Sequence, residues 1–258
     1  MSTPKAIFID VDGTLLSHSS KQVPRSAADA LRYACDKGVL LFIATGRSKM
    51  ELDLIDDLVG VPFDGFVTMN GAYCYTGSEV IFKNPLRPET VAAVVERIGH
   101  NPFPCVFCEE SQLYINMFND HVKKLQNSIS LPMPPLSDPR RALDTEIFQL
   151  VAFSAEEETF LRNLPYTKLT MWMDGGFDVV NSTVNKWEGI SHMLYRFGLA
   201  PDEVAAIGDG ENDIEMLTNA GYSVAMGNAD NEVKQCAEFV TGHIDDDGFA
   251  EAIEHLLG

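Results

Sequence analysis

The residues best placed to do chemistry begin at Asp10-Val11-Asp12-Gly13-Thr14-Leu15, directly after a short apolar run. Two carboxylates two apart share one face of a strand while Val11 turns the other way, and Gly13 lets the backbone bend sharply. Adjacent carboxylates do not both ionise cheaply unless a cation sits between them or one keeps its proton. Either solution serves catalysis, since an ionised aspartate is a nucleophile and a protonated one is a general acid. Taken alone, the pair could equally be one turn cap and one solvated acid.

Three further segments add to it. Ala44-Thr45-Gly46-Arg47-Ser48 ends an apolar run and enters a helical pattern. Backbone N–H groups at a helix start, beside a hydroxyl and a glycine, make an anion site, although Thr and Ser there are also ordinary N-caps. Arg47 could fork onto a phosphate or sugar hydroxyls, or pair with a surface acid. Gly208-Asp209-Gly210-Glu211-Asn212-Asp213 gathers three acids and an amide after the run Val204 to Ile207. Offering oxygen donors and neither Cys nor His, it suits a hard ion such as Mg²⁺; helix capping is the plainer alternative. Lys186, in Thr183-Val184-Asn185-Lys186, is the point positive charge that a phosphoryl group and a metal-bound aspartate need nearby. By itself it would be a solvated lysine.

The elements that must position these residues follow from period and punctuation. Lys5 to Val11, Val39 to Ala44 and Gly65 to Met69 are expected as buried strands, with helices over Pro24 to Lys37 and Ser48 to Val59 between them. That βαβαβ order implies a parallel sheet. Asn70 to Lys83 has hairpin chemistry. From Asn84 to Asn181 the order changes: helices over Pro88 to Ile98, Asn119 to Ser128 and Ala155 to Leu164, strands over Cys105 to Glu109, Leu113 to Ile115, Ile147 to Phe153, Lys168 to Met173 and Phe177 to Val180, and a turn forced by Pro132, Pro134, Pro135 and Pro139. Crossover units then resume, with helices over Trp187 to Phe197, Glu211 to Asn219, Asn231 to Ala237 and Phe249 to Leu257 and strands over Val204 to Ile207, Tyr222 to Ala225 and Phe239 to Thr241. The expected architecture is α/β: a Rossmann-like parallel-sheet core built from residues 1–83 and 182–258, with an α+β cap domain, 84–181, inserted into it.

Composition limits the partners. The 258 residues carry a formal net charge of −19, a sign that repels nucleic-acid phosphates and anionic lipid heads; neither is an expected partner. An anionic substrate then requires a local metal, cation or helix N-terminus. Met1 to Asp10 is no signal peptide, Val39 to Ala44 is too short to span a bilayer, and five scattered cysteines suit a reducing compartment. A cytoplasmic protein is expected. Cys105 and Cys108 fall on opposite faces of a strand and read as buried thiols. Glu156-Glu157-Glu158 and Asp245-Asp246-Asp247 read as helix starts. His18 could reach the site from a loop, and Glu109, Asn116, Trp172 and Asp174 could face a substrate from the insert.

Together, in this order, D-x-D-G-T-L, T-G-R, the Lys after the insert and G-D-x-x-N-D-x-x-M (Gly208 to Met216) resemble the haloacid dehalogenase superfamily, in particular Cof-type phosphatases with a class IIB α/β cap. The resemblance implies that Asp10 attacks phosphorus to give an aspartyl-phosphate and that Asp12 protonates the leaving alcohol, then activates water. It implies phosphoryl binding by Thr45 and Lys186, with Gly46, Arg47, Asn70 and Asn212 nearby. Mg²⁺ would be held by the Asp10 carboxylate, the Asp12 carbonyl and Asp209, with Asp213 behind them. Trp187 and Glu188 depart from the glycine that many relatives have after the Lys. The implied substrate is a small phosphate ester, with sugar phosphates favoured; the alternatives are a phosphomutase and a non-catalytic phospho-acceptor or binding protein.

Overall fold

The computed structural model describes residues 3–52, 60–120, 122–124, 132–173 and 175–258. The expected helices Ser48 to Val59 and Asn119 to Ser128 fall partly outside these residues, and Asp174 falls wholly outside. In chain order the strands are β1 (Ala6–Ile9), β2 (Leu40–Ala44), β3 (Gly65–Thr68), β4 (Tyr73–Thr76), β5 (Glu79–Lys83), β6 (Cys105–Cys108), β7 (Leu113–Ile115), β8 (Gln149–Phe153), β9 (Thr167–Met173), β10 (Gly176–Asn181), β11 (Val204–Gly208), β12 (Tyr222–Ala225) and β13 (Phe239–Val240). The helices are α1 (Arg25–Asp36), α2 (Pro88–His100), α3 (Glu158–Arg162), α4 (Lys186–Phe197), α5 (Ile214–Asn219), α6 (Asn231–Lys234) and α7 (Gly248–Leu257).

Two sheets result. The larger runs β13-β12-β11-β1-β2-β3-β4-β5, parallel from β13 to β3 and antiparallel through the β4–β5 hairpin. Its central strands are buried on both faces, as a parallel sheet covered by helices must be. Ile7, Ile9, Leu41, Ile43 and Ile207 pack with Leu31 of α1 and Phe249 and Ile253 of α7. Phe8, Phe42, Ala44 and Ala206 pack on the other side with Ile190, Met193 and Leu194 of α4 and Met216 and Leu217 of α5. The smaller sheet, β7-β6-β8-β10-β9, is antiparallel throughout. One of its faces takes the apolar stripe of α2, Val91, Val94, Val95 and Ile98. Its other face meets the core, where Val106, Cys108, Phe148 and Phe153 join Met69, Tyr73 and Tyr75.

The expected α/β class, with a parallel-sheet core and a second mixed unit inserted in it, is what the chain forms. Cys105 and Cys108 are both buried, each on a different face of the small sheet. Two expected helix starts are tighter 3-10 turns, Ala155–Glu157 and Glu211–Asp213, before α3 and α5. Asp245 does not cap α7: its carboxylate takes the hydroxyls of Ser17 at 2.5 Å and Ser19 at 2.7 Å. Among the described residues no helix is long and apolar enough to cross a membrane. From β1 the chain builds outward to β2 and β3 on one side and, after the inserted segment, to β11 and β12 on the other. The crevice at the carboxyl ends of β1 and β11 is therefore a topological switch point, where open α/β sheets bind ligands.

Candidate active site

Asp10 leaves β1, Thr45 leaves β2 and Asp209 leaves β11, so three parallel strands deliver three of the expected residues to one edge. The fourth arrives from α4. Asn185 caps that helix by accepting from the Glu188 N–H at 2.8 Å, and Lys186 follows as its first residue, 0% exposed. Its Nζ donates to Asp10 Oδ1 and Asp213 Oδ1, both at 2.6 Å. Burial alone would lower this ammonium's pKa; the two carboxylates outweigh it and raise it. A buried lysine with two acid partners is held charged.

The acids are equally fixed. Asp213 Oδ2 accepts the N–H groups of Asp209 and Gly210, each at 2.9 Å. Asp209 accepts from Thr14 Oγ1 at 2.9 Å and from Asn228 Nδ2 at 2.9 Å. The tight loop after Asp12 permits this: Gly13 has φ +85°, and a Cβ there would lie 2.1 Å from Asp209 Oδ2. Carboxylate oxygens of Asp10, Asp209 and Asp213 all lie within 4.8 Å of one another. Burial and the neighbouring acids push Asp10 well above the ordinary range against the pull of Lys186, and burial with Asp213 pushes Asp209 up to about 7. Three crowded carboxylates against one ammonium leave an excess of negative charge that a divalent cation neutralises. The donor set is all oxygen, so the residues fit a hard ion.

Asp12, two residues on, is partly exposed and is gripped by Arg47, whose Nε and Nη2 donate to its two oxygens at 2.7 and 2.6 Å. Arg47 is itself buried, so of the readings open for it the fork falls on an acid of the site and not on a surface acid. Thr45 is buried, and its Oγ1 accepts the Arg47 N–H at 3.1 Å. Asn70, at φ 57°, donates Nδ2 to Gln149 Oε1 and Asp178 Oδ2, both at 3.0 Å, and accepts from Asn212 Nδ2 at 2.8 Å. Gly46 offers its carbonyl to Gln149 Nε2 at 3.1 Å. The ten expected core residues thus fall into two adjoining hydrogen-bonded groups, Asp10, Lys186, Asp209 and Asp213 in one and Asp12, Thr45, Gly46, Arg47, Asn70 and Asn212 in the other.

A cavity of about 430 Å³ opens over them, floored by Asp10, Asp12, Thr45 and Asp209 and roofed by the small sheet. His18 is exposed at its rim, and Trp172 lines it. Glu109 and Asn116 do not: Glu109 is held by Arg141 at 2.8 and 2.9 Å, and Asn116 bonds Cys105 N and Phe103 O. Gln149 and Asp178 were not among the expected residues, yet both reach from the insert into the floor. The available signal was a polar side chain interrupting an apolar strand, in Gln149-Leu150-Val151 and Phe177-Asp178-Val179. Glu51 also lines the cavity and takes the Ser48 N–H and hydroxyl at 2.8 and 2.7 Å.

Comparison with known proteins matches the profile of haloacid dehalogenase-like hydrolases to residues 7–253. A Bacillus subtilis protein named "Putative phosphatase YkrA" is 34% identical, covering 98% of this chain and 97% of its own. A phosphoglycolate phosphatase of Methanobrevibacter smithii is 29% identical, covering 98% of each. Among solved structures, the subclass IIB sugar phosphatase BT4131 superposes with a TM-score of 0.88 at 37% identity, over 97% of this chain and 98% of that one.

Proposed function

The chain belongs to the haloacid dehalogenase-like hydrolases, and from that premise we propose that it is a Mg²⁺-dependent phosphatase of small phosphorylated metabolites, with hexose phosphates the favoured class. In this reading residues 1–83 and 182–258 form the catalytic core and residues 84–181 the cap over it. The observation that supports it best is the buried Lys186 bonded to Asp10 and Asp213 beside Asp209, a set that fixes a carboxylate nucleophile and, with a divalent cation added, would offset the charge of a phosphoryl group.

Asp10 is the nucleophile. Lys186 fixes its Oδ1, leaving the other oxygen to form a bond to phosphorus as the bond from phosphorus to the alcohol oxygen breaks. Asp12 gives its proton to that departing oxygen. Water then loses a proton to Asp12 and attacks the phosphorus, which releases phosphate and restores Asp10. Thr45, Asn212 and Lys186 hold the phosphoryl oxygens during both halves. The Arg47 fork is the pairing expected of an ionised Asp12, the form that activates water; proton donation in the first half requires the fork to open. The Asp10 and Asp209 carboxylates, with the Asp12 carbonyl, would hold Mg²⁺, whose charge counters that of the phosphoryl group and lowers the electrostatic barrier to attack. Positioning and charge neutralisation are what phosphoryl transfer chiefly demands.

The test is phosphate release from a panel of hexose phosphates. Wild-type protein with Mg²⁺ is expected to turn over, and Asp10→Asn or chelation by EDTA is expected to reduce the rate by at least about 10³-fold. Turnover that survives either change refutes the mechanism.

A further inference from the structure

The roof of the cavity differs in character from its floor. Val106, Cys108, Val151, Phe153 and Met171 present carbon and sulfur, Trp172 adds its ring with an indole N–H, and the other polar groups among them are Gln149, Thr170 and Asp178. Asp178 stands in register with Val151 of β8 on one side and Thr170 of β9 on the other, so these three share a face across adjacent strands. Its position over the floor is fixed twice. Oδ2 accepts from Asn70 at 3.0 Å, and Asn70 in turn accepts from Asn212. A Cβ at Gly46 would lie 3.4 Å from the same oxygen. Among the described residues of this roof none is Lys, Arg or His, and by sequence the residues outside the description contribute no Lys or Arg. The two cations at the floor are already engaged, Arg47 with Asp12 and Lys186 with Asp10 and Asp213. The rim adds Glu51, Glu211 and Asp230, with His18 exposed beside them.

A leaving group that carried its own carboxylate or second phosphate would meet apolar side chains and acids here, with no counter-charge. In a partly desolvated cavity that arrangement is repulsive. A neutral polyol meets the opposite situation: its C–H face suits the apolar side chains, and its hydroxyls can donate to Asp178 and Gln149 Oε1. We propose that the released alcohol is an uncharged polyol and that Asp178 determines this specificity, accepting hydroxyls and repelling esters that bear a second anion. The proposal rests on the phosphatase reading above. It adds a residue and a charge rule to that reading.

Sorbitol 6-phosphate and 6-phosphogluconate test it cleanly, because both are open six-carbon chains with phosphate at the same end, and they differ in a hydroxymethyl against a carboxylate at the other. With Mg²⁺ saturating, kcat/KM of the wild type should favour sorbitol 6-phosphate by about tenfold or more. Asp178→Asn should narrow that ratio by about threefold or more. Met171→Arg places a guanidinium on an already half-exposed position of the roof, and it should raise kcat/KM for 6-phosphogluconate about tenfold, a gain that an unfolded variant could not give. Equal kcat/KM for the two esters in the wild type overturns this inference while leaving the phosphatase reading in place. An unchanged ratio in Asp178→Asn removes Asp178 from the rule. Phosphate release from neither these esters nor any hexose phosphate overturns the phosphatase reading and this inference with it.

Discussion

Lys186 shows how little a single residue type says before its surroundings are known. In the sequence it is one of 19 basic residues; in the fold it is fully buried between Asp10 and Asp213, where removing its charge would strand two acids. The motifs around it made it legible, because their spacing carries the chemistry locally. Arg47 was less so, since its partner Asp12 lies 35 residues away. Asp178 is less legible still: it interrupts an apolar strand, but that signal does not say which face it lies on. Its burial, with Glu51 nearby and despite the Asn70 hydrogen bond, pushes its pKa up to about 7 from the ordinary 3.8. A carboxyl whose folded pKa is raised binds its proton more tightly in the folded state. Its contribution to stability is therefore fullest below about pH 4 and is lost as pH rises through about 7, at no more than about 1.4 kcal/mol per pH unit. Asp178→Asn has no such proton to lose. Urea unfolding at pH 5 and pH 8 should show the variant gaining on the wild type at the higher pH; a difference independent of pH would mean that Asp178 titrates normally.

At the scale of elements, the pattern of apolar residues located nearly every strand because the central strands are short continuous apolar runs buried on both faces, and β7 and β12 fall within the expected limits, Leu113–Ile115 and Tyr222–Ala225. The turns into helices were less legible. Asp213 folds back to accept two backbone N–H groups, which tightens Glu211–Asp213 into a 3-10 turn, and that choice depends on a side-chain geometry that no period encodes. The same holds for the turn Met69–Gly71, where Asn70 is left-handed. Gly71 has φ +98°, and a Cβ there would lie 2.1 Å from Asn185 O, the residue that caps α4 and places Lys186. Gly99, near the end of α2, has nothing within 4 Å of the same added atom. One substitution should then act with opposite signs. Gly71→Ala is expected to destabilise the fold by about 2 kcal/mol or more, whereas Gly99→Ala should stabilise it by about 0.5–1 kcal/mol. Thermal or urea midpoints check both, and a Gly71→Ala midpoint equal to that of the wild type would show that the α4 cap is not held by this contact.

At the scale of the molecule, the core and insert meet over the site through contacts between residues far apart in sequence. Gln149 and Asp178 bond Gly46 and Asn70, Lys168 of β9 pairs with Glu215 of α5 at 2.6 Å, and Lys83 pairs with Glu110. Which side chains face the cavity depends on how β8, β9 and β10 align, and strand register is set by pairing over distances that a motif does not span. For that reason the floor could be read from the sequence, while of the roof residues expected to face a substrate Trp172 does so and Glu109 and Asn116 do not. Net charge, by contrast, needs no register, and it bears on how substrate arrives. A chain of −19 presents a dianionic ester with a repulsive field that reaches about 30 Å at 0.01 M salt and about 8 Å at 0.15 M. The acids around the cavity, Asp12, Glu51, Asp178, Glu211 and Asp230, extend the same sign to its mouth, so attraction begins only at the floor, within the reach of Lys186 and of a cation that the proposed Mg²⁺ site would hold. Salt should therefore screen repulsion more than attraction. With Mg²⁺ saturating throughout, kcat/KM for a hexose phosphate is expected to rise about twofold or more between these two ionic strengths, opposite to the fall seen where a positive cleft steers an anion. A fall would mean that the floor's positive charge projects beyond the mouth and outweighs the surface.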